Sequence, residues 1–119
     1  MDIETQVVQW LNASDTLKGV PASLSVPPDR PKRFVTVERT GGTEDAYRSM
    51  PTIAVQAWSL TGRYEAAQLA GLVKDRLMTL TDIDEVADVS VESVTHYPDP
   101  GPRFTERYQI LVQLTVSTA

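Results

Sequence analysis

From Tyr108 to Val116 the apolar residues fall on every second position, Tyr108, Ile110, Val112, Leu114 and Val116, while Gln109, Gln113 and Thr115 hold most of the places between them. That period predicts a strand with one apolar and one wettable face. Counted from Phe104 the run would reach roughly 40 Å at about 3.3 Å per residue, long for a strand. Such a strand must be the spine of a sheet or extend beyond its own subunit. Pro98, Pro100 and Pro102 precede it and break the ladder, so a turn across Pro98 to Pro102 delivers it. The same alternation marks Phe34 to Arg39 and Thr52 to Leu60, with Ile53, Val55 and Ala57 opposite Gln56 and Trp58. Val89, Val91 and Val94 open a further strand that runs to about Tyr97.

Two stretches carry the helical period instead. Ile3, Val7, Trp10 and Leu11 place one apolar stripe on residues 2–13, with Asp2 and Glu4 in the first turn, where the helix dipole favours them. Trp10 is read as a core anchor. Ala66, Leu69, Ala70, Val73, Leu77 and Leu80 form the second stripe, with Thr61 or Gly62 as its cap. The order α-β-β-α-β-β predicts a single α+β domain over residues 1–119 in two layers: a four-stranded antiparallel or mixed sheet with two helices packed on it. Prolines at 21, 27, 28 and 31 leave room for at most a short extended piece at Ala22 to Val26. Residues 40–51 read as a long loop, far more than a hairpin needs, and loops of that length commonly carry function.

Composition narrows the chemistry. Net charge is −5 and no cysteine is present, which removes disulfides and thiolate chemistry together. His96 is the lone histidine, read as an ordinary surface or edge residue. The acidic balance argues against a dedicated nucleic-acid binder, whose affinity comes largely from phosphate neutralisation. Arg30, Lys32 and Arg33 form the one compact basic cluster, read as a solvated turn. Asp82, Asp84, Glu85 and Asp88 loosely resemble a calcium loop without its glycine at the sixth place or its glutamate at the twelfth. Gly41-Gly42 lacks the rest of a phosphate loop. The amino terminus carries no signal-peptide pattern and no apolar run is long enough to span a membrane, so the chain is expected to be cytoplasmic at synthesis. No nucleophile motif is present, and the expectation is a protein that works through its surfaces.

Several stretches taken in order carry a family resemblance: Val26-Pro27-Pro28-Asp29-Arg30-Pro31, Phe34 through Gly42, Ile53 to Trp58 before an alanine-rich helix, Pro98-Asp99-Pro100 with Pro102-Arg103-Phe104, and Tyr108 to Val116. Together they resemble the tail terminator proteins of long-tailed, siphovirus-type phages, most nearly those of actinobacterial phages, over nearly the whole chain from Leu11 onward. The resemblance implies a virion protein at the head-proximal end of the tail, present in the host cytoplasm during assembly. Its copies would form a hexameric ring that caps the finished tail tube, stops polymerisation and offers a surface to the head. The implied partners are itself, the tail tube protein and the head-tail connector protein, with DNA only as passing cargo and no membrane. No enzyme activity, cofactor or metal is implied.

Interface residues are not fixed by that resemblance. The long loop nominates Gly41, Gly42, Thr43, Glu44, Asp45, Tyr47, Arg48 and Met50, expected to order only on assembly. The start of the final strand nominates Arg103, Phe104 and Arg107 to pair with a neighbour, while Asp45, Asp82 and Glu85 are candidates to face a DNA channel. Other readings are a head completion or neck protein, a small cytoplasmic ligand-binding regulatory module, and an enzyme whose site forms between subunits.

Overall fold

A computed structural model describes residues 2–102 and 104–117. Helix α1 is Ile3–Asn12; strands β1, β2 and β3 are Ala22–Ser23, Arg33–Glu44 and Arg48–Ser59; helix α2 is Arg63–Leu77; strands β4 and β5 are Val86–His96 and Glu106–Ser117. Short 3-10 turns follow each helix, at Asp15–Leu17 and Leu80–Asp82. The strands make one open sheet in the order β1-β2-β3-β5-β4, parallel between β1 and β2 and antiparallel elsewhere. The class is α+β, as expected, but the sheet has five strands rather than four.

The additional strand has a long-range cause. The Asn12 side chain, at the end of α1, donates to the carbonyl of Ala22 at 3.0 Å and accepts from its N–H at 2.9 Å, as a neighbouring strand would. On the other side the N–H of Val35 donates to the carbonyl of Pro21 at 2.9 Å. Flanked in this way, two residues between prolines join the sheet.

The larger departure concerns residues 40–51. Strand β2 continues to Glu44 and β3 begins at Arg48, with Thr43 opposite Met50 and Glu44 opposite Ser49, so the expected loop is a hairpin whose turn is Asp45–Tyr47. A bulge between Arg39 and Gly41 shifts the register and lets pairing continue. Residues 38–48 are exposed on both faces. With no face to bury, the stretch needs no alternation, and periodicity cannot reveal it.

Strand β5 lies between β3 and β4 and is the spine its alternation suggested. It starts at Glu106 rather than Phe104, and its 12 residues match the 12 of β2 and β3 and the 11 of β4. Its length is therefore shared by the sheet. Just before it, Thr105 and Asp99 exchange N–H to carbonyl bonds of 3.1 and 3.0 Å, closing the proline turn.

Both helices lie on one face. Val35 and Val37 of β2, Ile53, Val55 and Ala57 of β3, Ile110, Val112, Leu114 and Val116 of β5 and Val86 and Val89 of β4 meet Ile3, Val7 and Leu11 of α1 and Leu69, Ala70, Val73 and Leu77 of α2 in one core. Each fully buried Val, Leu or Ile there stabilises the fold by about 1.5–3 kcal/mol relative to exposure. At the seam between the helices Trp10 is half-buried; its indole N–H donates to Thr79 Oγ1 at 2.9 Å, and the Arg76 guanidinium lies 4.1 Å from its ring centroid. Trp10 thus ties α1 to α2. Helix α1 is capped by Asp2, which accepts from the Thr5 N–H and hydroxyl, and α2 by Gly62, whose φ of 140° suits glycine.

Candidate assembly surfaces

The two groups of nominated residues sit at opposite ends of the sheet. Arg48 pairs with Ser117 at one end of β3, and Ser59 pairs with Glu106 at the other. Eleven residue steps at about 3.3 Å separate those ends by roughly 36 Å. Gly41, Gly42, Thr43, Glu44, Asp45, Tyr47 and Arg48 are exposed along the hairpin, and Tyr47 at its tip is 75% exposed. Met50 is half-buried. At the far end Phe104 is 61% exposed, while Arg103 lies outside the described residues.

Asp45 organises the tip. Its carboxylate oxygen Oδ1 accepts from the N–H groups of Tyr47 and Arg48, each at 2.9 Å, and its own N–H donates to the carbonyl of Arg48. The Tyr47 and then the Arg48 N–H hold the carboxyl below its ordinary pKa of 3.8. A carboxylate depressed in this way supports the turn fully above pH 3.8, and that support is lost as pH falls through the lower folded value. The amide proton resonances of Tyr47 and Arg48 are therefore expected to titrate together with a midpoint below pH 3.8, and Asp45→Asn to abolish that titration. A midpoint at or above the ordinary value would show the turn does not use this carboxylate.

Arg107 is held within its own chain. Its guanidinium lies 4.6 Å from the Trp58 ring centroid and 4.3 Å from that of Tyr97, and its Nε donates to the Tyr97 carbonyl at 2.6 Å. Trp58 in turn stacks on Phe34 with centroids 5.2 Å apart and planes 13° apart. Arg30 also lies over Trp58, at 5.4 Å, donates to Thr105 Oγ1 at 2.8 Å and stands 3.7 Å from the Asp99 carboxylate. The expected solvated turn at Arg30 is thus a half-buried anchor. From this second cluster, on the sheet face away from the helices, polar bonds run across three strands: Trp58 Nε1 to Thr36 Oγ1 at 3.0 Å, Thr36 to Gln56 Oε1 at 3.3 Å, and Gln56 Nε2 to Gln109 Oε1 at 3.0 Å. Sequence reasoning placed Trp58 and Gln56 on this face but missed the cluster. Its partners lie far apart in the chain, and a tryptophan on the wettable face of a strand was the available signal.

His96 is a half-buried strand-end residue whose Nε2 lies 2.8 Å from Glu106 Oε2, with its ring 5.0 Å from that of Tyr108. Arg63 donates to the Tyr108 hydroxyl at 3.2 Å. Among the described residues no three histidine or carboxylate side chains converge on a point that would hold a metal ion.

Charge is divided between the two ends. The hairpin end exposes Glu44, Asp45, Asp82, Asp84, Glu85 and Asp88 against Arg48, whereas the opposite end exposes Lys32, Arg33 and Arg63 against Asp29. Asp45, Asp82 and Glu85, nominated together for a DNA channel, share the hairpin end.

No protein-family model matches the chain, and no curated protein matches it. Among solved structures, a chain of the virion of native gene transfer agent particle superposes with a TM-score of 0.73, at 16% identity, over 93% of this chain and 91% of that one. The likeness is one of fold.

Proposed function

We propose that this chain is a structural virion assembly protein, a tail terminator whose copies close into a hexameric ring on the finished tail tube. The ring stops addition of tube subunits and gives the head connector a surface to join. The observation that carries the reading is the whole-chain likeness to a gene transfer agent virion chain, which agrees in kind with the phage resemblance of the proline and strand motifs. The division of charge supports it further. A ring of such subunits in one orientation has an acidic rim and a more basic rim, suited to two different partners, tube and connector. DNA passes through as cargo and is not held, in keeping with the net charge of −5. No catalysis or cofactor enters this role.

Electron microscopy of particles assembled with an amber codon in this gene tests the reading. Overlong tails without heads are expected. Tails of normal length that remain unattached would assign the chain to head completion or the neck instead, and normal infectious particles would remove it from tail assembly.

A further inference from the structure

The sheet is open, and its two edges differ in how they are covered. Strand β4 forms one edge over all 11 of its residues, with β5 as its neighbour on the inner side. Strand β2 forms the other edge but is partly closed. β1 pairs with it at Val35 and Thr36, and the Glu4 carboxylate of α1 accepts the N–H of Arg39 at 3.0 Å. Beyond that plug, Thr40 to Glu44 have no strand outside them among the described residues and are exposed on both faces.

These two open stretches lie at the same level of the sheet. Glu44 pairs with Ser49, Ser49 with Val116 and Val116 with Val86; Gly41 pairs with Thr52, Thr52 with Gln113 and Gln113 with Ser90. They also run in opposite directions, because three antiparallel steps separate β2 from β4. A second copy moved sideways, without inversion, therefore brings its Thr40 to Glu44 antiparallel to Ala87 to Val91 of the first.

From this geometry we infer that the ring closes by strand addition, with residues 40–44 of each subunit pairing antiparallel to residues 87–91 of the next and each sheet continuing into its neighbour. The inference rests on the ring proposed above and names its contact. Continuous register from the shared level of Gly41 and Ser90 sets Thr43 opposite Asp88 and Glu44 opposite Ala87. No pair in that stretch sets like charges directly opposite. The alternative of β4 against β4, centred on Ser90, would set Asp88 opposite Glu92 twice, and directly opposed like charges destabilise a strand pair. Charge thus disfavours a closed pair through β4 and favours the heterologous contact that a ring requires. The bulges in β4 and β2 bend these edges and discourage pairing with unrelated strands.

Because the chain has no cysteine, introduced thiols test the contact cleanly. Directly opposed strand residues lie at about 4.5–5.5 Å between Cα atoms, within disulfide reach. In particles carrying Thr43→Cys with Asp88→Cys, mild oxidation is expected to give a ladder of covalent oligomers on a non-reducing gel. Each single variant should stay monomeric. Glu44→Cys with Ala87→Cys, also at exposed positions, repeats the test should the first pair perturb folding. Rings visible by microscopy but no ladder from either pair would overturn the edge contact and leave the ring intact. Dimers from Ser90→Cys alone would overturn it in favour of β4 self-pairing centred on that residue. A chain that stays monomeric in mature tails would remove both the contact and the ring.

Discussion

Replacing Trp58 with alanine is expected to lower the unfolding free energy by about 3–5 kcal/mol, among the largest losses available from one side chain. Trp58 is 2% exposed, although it lies on the sheet face that neither helix covers. What buries it is Phe34 on one side and the guanidinium groups of Arg107 and Arg30 on the other. Alanine would remove the stacking partner of Phe34, which is 0% exposed in the fold, and release both arginines to water. The N–H bond to Thr36 would go as well, leaving the Thr36–Gln56–Gln109 chain without its first donor. Urea unfolding of the alanine and phenylalanine variants separates these contributions. Trp58→Phe retains an aromatic face and should cost less, with the lost hydrogen bond accounting for about 1 kcal/mol. Equal costs would mean that the hydrogen bond, rather than the stack, dominates.

That cluster also shows where sequence reading stops. The helix-facing layer was legible because Ile53, Val55, Ile110, Val112 and Leu114 alternate and Leu69, Val73 and Leu77 recur at helical spacing, so each element announced the face it buries. Nothing local announced Arg30. Beside Lys32, Arg33 and three prolines it has the composition of a solvated turn, and its contacts to Asp99 and Thr105 join segments about seventy residues apart. Strand β1 falls within the short extended piece the sequence allowed at Ala22 to Val26, but its place in the sheet was hidden for a related reason, since the side chain of Asn12 supplies the bonds that make Ala22 extended. The outer half of β2 was hidden by the opposite condition: it buries neither face, so no period could mark it. It is also where the open edge lies. Strand periodicity reports burial within one subunit, whereas a surface reserved for another copy reads as polar and irregular.

The second large effect falls on that stretch. Gly42→Val is expected to unpair the outer hairpin, residues 40–50, and to destabilise the chain by at least the 1–3 kcal/mol or so that a strained backbone conformation costs. Gly42 has φ +120°, which residues with a side chain rarely adopt, and a Cβ there would meet the Met50 carbonyl oxygen and stand 2.7 Å from the Pro51 Cα. Both obstacles are backbone atoms of the paired strand, so no side-chain rotation relieves them. Relief requires the hairpin to open. Gly41 is the control: no atom lies within 4 Å of a Cβ placed there and its φ is ordinary for any residue, so Gly41→Ala should change stability by no more than about 0.5 kcal/mol. Amide exchange separates local from global loss. Protection should fall at Met50 and Thr52 in the Gly42 variant while Val55 and Ile110, at the centre of the core, keep theirs. If Gly42→Val retained full protection at Met50, the hairpin would not need the glycine, and the register through the bulge would have to be different. If the hairpin opens as expected, the edge formed by residues 40–44 opens with it, and a folded but ring-deficient protein should result.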